Sequence, residues 1–258
     1  MELVKPNYIQ TTTGFSVQSN TTAAKYLFNP DLSYQYVSSG YADDNTTTSI
    51  VVSFTETLTV SRVALMGINL KEFRLFYNGA TANAFAFTST SATTTSIFTS
   101  NSQTAMYFPC TPVACTSVTL DMKKTMVANV EKAIGYFMLS QEILDFPRIP
   151  SAKDYRIELS QKSIVHQLSD GNTRLQSIFL RYKAEVRFDH VTTSFRNDLR
   201  TVFNRRGGMI FVPFGTSTSW DEVIFPCVWD GPFEFYKFSD DAADAGFSGR
   251  LKLLESTP

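Results

Sequence analysis

Residues 176–214 read QSIFLRYKAEVRFDHVTTSFRNDLRTVFNRRGGMIFVPF. Ile178, Leu180, Tyr182, Ala184, Val186 and Phe188 alternate with Arg181, Lys183, Glu185, Arg187 and Asp189, the period-2 pattern of one long strand with a buried and a wet face. Phe195, Leu199, Val202 and Phe203 then fall at i, i+4, i+7 and i+8. Thr192, Thr193 and Ser194 precede them, and Arg205, Arg206, Gly207 and Gly208 come after. This arrangement predicts a helix over about 193–205, with a hydroxyl cap at its start and a glycine exit. Met209 to Phe214 reads as a buried returning strand. The stretch contains no recognisable catalytic grouping and reads as a scaffold that presents surfaces to neighbours.

On the N-terminal side, residues 1–147 are rich in Thr and Ser, with short apolar alternations between turn residues. Ile50, Val52 and Phe54 define one strand face. Val63, Leu65 and Gly67 belong to a strand buried on both sides, and Phe73, Leu75 and Tyr77 line a third strand before the Asn78-Gly79 turn. Tyr107–Cys110, Val118–Met122 and Ala133–Leu139 read as further strands, and the spacing suggests an antiparallel sandwich. Thr88–Gln103 is low in complexity and reads as a loop or an exposed polar strand pair. Phe146-Pro147-Arg148-Ile149-Pro150 has the composition of a stiff connector. It divides the chain into 1–147 and 148–258. The second part reads as a β domain carrying one helix, with strands over Tyr155–Leu159, Ile164–Leu168, Val223–Trp229, Phe233–Phe238 and Arg250–Leu254 and a turn at Asp170-Gly171-Asn172.

A chain of 258 residues buries a core without staples. Its formal net charge of -1 offers no electrostatic attraction to nucleic acid. Charged residues make up 18% and aromatics 14%, which suits a surface partly covered by other subunits, with the many Thr and Ser of the first half as the alternative source of the low charge. No run approaches the ~18 apolar residues that a membrane-spanning helix needs, and MELVKPNY lacks the regions of a signal peptide. Synthesis and folding are expected in the cytosol of the producing cell. Cys110, Cys115 and Cys227 form no framework. They read as buried thiols in a reduced compartment, with a Cys110–Cys115 bridge as the alternative.

Catalytic signals are sparse. His166 and His190 lie in no metal-ligand spacing, and there is no Gly-x-Ser-x-Gly elbow or phosphate loop. Glu142 with Asp145, Asp221 with Glu222, and Asp240, Asp241 and Asp244 are the candidate carboxylate groups, all beside turns or domain edges, where acids serve solubility. Asp43-Asp44-Asn45 has the residues of a turn that could offer backbone carbonyls to a hard cation, or simply face water. No catalytic residue, cofactor or metal site is therefore expected. Arg181, Lys183 and Arg187, with Arg205, Arg206, Gly207 and Gly208 at the helix exit, are the candidate oligomer interface. Glu185 and Asp189 interleave with them, so the same face reads as a salt-bridging interface or a solvated one. Tyr34, Tyr36 and Tyr41 are the candidate glycan contacts, with packing at the sandwich edge as the alternative.

Ala24-Lys25-Tyr26-Leu27-Phe28-Asn29-Pro30-Asp31, Ile50–Phe54 and Val63-Ala64-Leu65-Met66-Gly67-Ile68-Asn69-Leu70, with Phe73–Tyr77 beyond them, resemble discoidin-like (galactose-binding-like) jelly-roll modules, in particular those of tailed-phage tail proteins. The strand, capped helix and glycine-rich return of the second part are similar to the ring-forming region of phage distal tail proteins. The resemblance implies a mainly β chain: an N-terminal jelly-roll β-sandwich followed by a β-rich ring-forming domain with one α-helix. It further implies a non-enzymatic virion protein of the tail tip that forms a homo-oligomeric ring, a hexamer. Its expected partners are copies of itself and the tube, hub and fibre proteins. A carbohydrate- or receptor-binding accessory protein that uses the jelly roll is the alternative function.

Overall fold

The structure, a computed structural model, describes residues 1–4, 14–87, 96–141, 143–146, 154–167, 172–204, 208–213, 224–237 and 246–256. Outside them lie Pro147–Pro150, Glu142, the Asp170-Gly171 turn, Arg205, Arg206, Gly207, Asp221, Glu222, Asp240, Asp241 and Asp244, as do the side chains of Ile178 and Leu180. The chain is mainly β. In order, the described strands are β1 (Glu2–Val4), β2 (Gly14–Val17), β3 (Tyr36–Val37), β4 (Thr48–Met66), β5 (Leu70–Tyr77), β6 (Ile97–Phe98), β7 (Ala105–Thr125), β8 (Ala133–Ile134), β9 (Tyr136–Ser140), β10 (Ile143–Asp145), β11 (Tyr155–Gln167), β12 (Thr173–Val191), β13 (Met209–Val212), β14 (Phe225–Trp229), β15 (Glu234–Lys237) and β16 (Phe247–Glu255). A 3₁₀ helix spans Thr21–Phe28, and the α-helix α1 spans Thr193–Asn204. Contacts divide the chain into two compact units, one drawn from residues 2–143 and 210–224 and the other chiefly from 144–209 and 225–257.

In the first unit the strands run β2-β4-β7-β5-β6, with β9 also on β4. The pairing explains the sequence pattern. Residues Arg62–Met66 of β4 are flanked by β7 on one edge and β9 on the other, and from Val63 to Met66 each face of the strand meets an apolar cluster of its own. Val63 and Leu65 join the main core with Ile50, Val52, Phe73 and Leu120. Ala64 and Met66 point the other way, against Tyr107, Tyr136 and Met138. That second cluster is closed by Val4, Ile210 and Val212, brought in by the antiparallel pair β1–β13, in which Val4 faces Ile210 and Leu3 faces Phe211. Asn78 and Gly79 both have positive φ, at 53° and 68°, the conformation that a tight two-residue turn at the end of β5 demands.

Tyr107–Cys110 and Val118–Met122, read separately from sequence, are two parts of the single strand β7. Pro109 and Pro112 argue for a break. The ladder accommodates this region through two register shifts: Ser53 and Leu58 face Ser117 and Cys115, with the extra residues on β4, while Val60 and Arg62 face Val113 and Pro109, with the extra residues on β7, which leaves Pro112 out of the ladder.

In the second unit the order is β14-β16-β12-β11, with β15 also on β16. The alternation predicted for β12 is present from Lys183 to Asp189: Ala184, Val186 and Phe188 are buried, Lys183 and Glu185 between them are partly buried, and Arg187 and Asp189 are exposed, whereas Arg181 and Tyr182 are both partly buried. Thr192 caps α1, its Oγ1 accepting the Phe195 N–H at 3.2 Å. Phe195 and Leu199 are the buried face of that helix. Phe188 stacks edge-on against Phe146 and Phe195, at 5.5 Å in both cases, while Phe203 meets Trp229 at 5.2 Å and Phe233 at 5.5 Å. β12 pairs with β16 only from Lys183 onward, whereas its ladder with β11 continues from Val186 back to Thr173. Among the described residues, the hairpin beyond β16 is therefore a two-stranded ribbon.

Candidate functional site

The first unit offers two polar surfaces, and the first is the rim formed by the 3₁₀ helix and the segments after it. Ala23, Ala24 and Leu27 anchor that helix, which turns Tyr26 outward enough to stack against Tyr34 with ring centroids 5.4 Å apart and planes 21° from parallel. Tyr34 is 50% exposed. Lys25 sits over the Tyr26 ring at 5.2 Å, and Asp31 holds the turn by accepting hydrogen bonds from the N–H and Oγ of Ser33. The other two candidate tyrosines have different surroundings. Tyr36 is fully buried, its hydroxyl donating to the Ser19 carbonyl at 2.9 Å, and burial raises its pKa above the usual phenol value. Tyr41 is partly buried, and its N–H donates to Glu131. Of the three, Tyr34 presents its ring to solvent.

Residues 38–46 are tied to 129–133 by charge. The Glu131 carboxylate accepts from Ser38 Oγ at 2.5 Å and from the N–H groups of Gly40 and Tyr41. Burial alone would raise this carboxyl, but those hydrogen bonds and the Lys132 charge outweigh it and hold its pKa below the usual range. Lys132 is fully buried. Its ammonium donates to the carbonyls of Tyr41 and of Asp43, the latter at 2.9 Å, so the Asp43 carbonyl of the Asp43-Asp44-Asn45 turn faces a lysine. Asp43 Oδ1 accepts from the N–H and Nδ2 of Asn45, and Asp44 Oδ1 accepts from the N–H and Oγ1 of Thr125.

The second surface is a cavity of about 300 Å³ lined by Thr47, Glu72, Phe73, Arg74, Ile97, Asp121 and Lys123. Arg74 donates to Asp121 Oδ2 from Nε at 2.8 Å and from Nη2 at 2.6 Å, and Ser49 Oγ donates to Oδ1. Glu72 bridges Lys124 at 2.8 Å and Lys123 at 3.0 Å. The Lys124 hydrogen bond is the main reason its carboxyl lies below the usual range. These acids are paired with cations, an arrangement suited to orienting polar groups and unsuited to delivering protons.

In the second unit Arg187 is exposed and pairs with Asp189 at 2.9 Å, while Arg250 pairs with Glu185 at 3.2 Å. Arg181 and Lys183 are partly buried on β12, and Gly208 stands just before β13. Arg187, Asp189, Glu234, Tyr236 and Arg250 share a shallow depression. His166 and His190 are exposed on different strands. Cys110, Cys115 and Cys227 are buried thiols, with no disulfide between them. Burial pushes the Cys110 thiol up to about 12 and Cys115 up to about 11, so both stay protonated and unreactive at neutral pH. Among the described residues no group of three or more His, Cys, Asp or Glu side chains is arranged to hold a metal ion.

Reasoning from sequence missed Glu131, Lys132, Tyr26, Arg74 and Asp121. Tyr26 lies in an apolar stretch that invites a core assignment, and the others acquire their roles from partners far along the chain.

No protein-family model matches the chain, and no curated protein matches it. Among solved structures it is similar to chitosan-binding module 1 of a chitosanase/glucanase from Paenibacillus sp. IK-5, with 14% identity and a TM-score of 0.40 over 53% of this chain and 100% of that one. It is also similar to CpGH89CBM32-6 of Clostridium perfringens, with 10% identity and a TM-score of 0.38 over 53% and 100%. A pectin-binding carbohydrate-binding module aligns at 13% identity and a TM-score of 0.35 over 50% and 91%. These structural neighbours are carbohydrate-binding modules.

Proposed function

We propose that this chain is a non-catalytic binding protein whose first unit recognises glycans at the tyrosine rim. The observation that carries the reading is the Tyr26–Tyr34 stack, with Tyr34 half exposed beside Asp31, Ser33 and Lys25. A sugar ring needs an aromatic face for its C–H groups and nearby polar groups for its hydroxyls, and this rim supplies both. Titration calorimetry with chitotriose and with pectin fragments tests it. Tyr34→Ala is expected to weaken binding about tenfold, or about 1.4 kcal/mol, with only a small fall in melting temperature from the lost stack on Tyr26, because half of the ring already lies in solvent. Absence of binding to a broad glycan array by the wild-type protein would remove the proposal.

A second reading, a ring-forming structural subunit of a phage tail tip acting inside the virion, draws on a different observation. The β11–β12 ribbon beyond β16 exposes Leu159 at 48%, Ile164 at 44% and Val165 at 63%. A two-stranded ribbon with wet apolar side chains is marginal alone and gains stability from a neighbour. Light scattering with negative-stain imaging separates the readings. A closed ring, probed by Arg187→Glu, supports assembly, and a monomer at tens of micromolar opposes it.

A further inference from the structure

The cavity beside β5 and β7 lies on the outer face of its sheet. Phe73, Leu75, Leu120 and Met122 face the main core, so alternation turns Arg74 and Asp121 to the opposite side. There a cross-strand row forms: Ser49 faces Asp121, Asp121 faces Arg74, and Arg74 faces Ile97. Glu72 faces Lys124 while Phe73 faces Met122, so Lys123 is an extra residue on β7, and this bulge brings two consecutive lysines onto the one Glu72 carboxylate.

The hydrogen-bonding capacity of these groups is only partly used. Arg74 commits Nε and Nη2 to Asp121 Oδ2, and its guanidinium lies over the Phe76 ring at 5.4 Å. Its Nη1 has no hydrogen-bond partner among the described residues. Lys123 spends one of the three N–H groups an ammonium carries, on Glu72 Oε1 at 3.0 Å. The acids are closer to saturation: Asp121 accepts from Ser49 and from both Arg74 nitrogens, and each Glu72 oxygen accepts from a lysine. What remains is a surplus of cationic donors with a few acceptor lone pairs beside them. Its complement is an anionic acceptor that also carries hydroxyls. Ile97, 41% exposed, adds an apolar flank, and about 300 Å³ lies at the lower end of the range for small-molecule sites.

We propose that this cavity binds one sugar-acid residue, its carboxylate taken by Arg74 and Lys123 and its ring set against Ile97. Donors already held by their acid partners lose little freedom on binding. The site shares no residue with the tyrosine rim and does not depend on glycan recognition there.

The full-length protein is titrated with sodium galacturonate, with galactose and with sodium acetate at one pH and ionic strength, and binding is read from backbone amide shifts. Galacturonate is expected to bind in the millimolar range and to shift the amides of 72–74 and 121–124. Galactose lacks the carboxylate and acetate lacks the ring, so each is expected to bind at least about tenfold more weakly. Lys123→Gln leaves Glu72 its Lys124 partner and is expected to weaken galacturonate about tenfold. Arg74→Lys keeps a cation beside Asp121 but loses the planar fork, and should weaken it by a similar factor. The proposal is overturned if galacturonate leaves these amides unmoved or shifts only those of 25–34, if galactose or acetate binds as tightly, or if Lys123→Gln binds galacturonate like the wild type. Should Arg74→Lys lose the spectrum of a folded protein, Lys123→Gln decides alone.

Discussion

Gly249 shows how a single atom constrains this fold. It lies on β16 opposite Phe235, and a Cβ added there would overlap the Glu234 carbonyl oxygen and stand 2.6 Å from Phe235 Cδ1. A backbone carbonyl cannot swing aside as a long side chain can. Gly249→Ala is therefore expected to cost about 1–3 kcal/mol, the range for overpacking a close contact, and to loosen β15 first. A urea titration followed by Trp fluorescence checks this through Trp229, which packs 5.7 Å from Phe233 just before β15. A variant as stable as the wild type would show that the close approach of β15 is readily relieved. Tyr36 makes the complementary point. Its place among polar and aromatic neighbours in sequence suits an exposed contact, but Ser19 supplies a hydrogen-bond acceptor that lets the hydroxyl go inside.

Among the secondary-structure elements, the 38–46 segment is held by charge rather than by apolar packing, and so it should respond to acid. Asp44 and Glu131 have folded pKa values below their ordinary ones of 3.8 and 4.5. Each therefore contributes stability that is complete above its ordinary value and is lost as pH falls through its folded value. Glu255 works in the opposite sense: burial raises its carboxyl, so its contribution is lost as pH rises. Unfolding midpoints measured from pH 7 downward are expected to rise slightly as Glu255 takes up its proton and then to fall below about pH 4 as Asp44 and Glu131 lose their charge. Glu131→Gln should lower the neutral plateau and flatten the acid limb. An acid limb that Glu131→Gln leaves unchanged would place the sensitivity elsewhere.

Over the full chain, membership of the units departs from sequence order. The described part of 210–224 belongs with the first unit, and Ile210 and Val212 close the cluster over Ala64, Met66, Tyr107, Tyr136 and Met138. A chain ended at Leu144 would expose this apolar face. Such a fragment is expected to aggregate or to unfold at lower urea than the first unit does within the full chain, as judged by size-exclusion chromatography and circular dichroism. Recovery of a monomer of undiminished stability would show that the cluster tolerates water.

Local patterns were legible in the residues themselves. The period-2 run through Ala184, Val186 and Phe188, the spacing of Phe195 and Leu199, the Thr192 cap and the Asn78-Gly79 turn all depend on neighbours within a few positions, and for these the amino-acid order determined both the elements and their buried faces. That the chain is mainly β was already set at this level. Long-range packing alone decided that β7 runs on through Pro109 and Pro112, because the register shift that leaves Pro112 out of the ladder exists only against the partner strand β4. The same holds for Tyr34, which remains at the surface while Tyr36 enters the core. Lys132 is the clearest case. In sequence it is one lysine beside a glutamate near a turn, with the marks of a solvated residue. The oxygens that hold it come from Tyr41 and Asp43, and nothing in the residues adjoining Lys132 encodes a contact made across so long a stretch of chain.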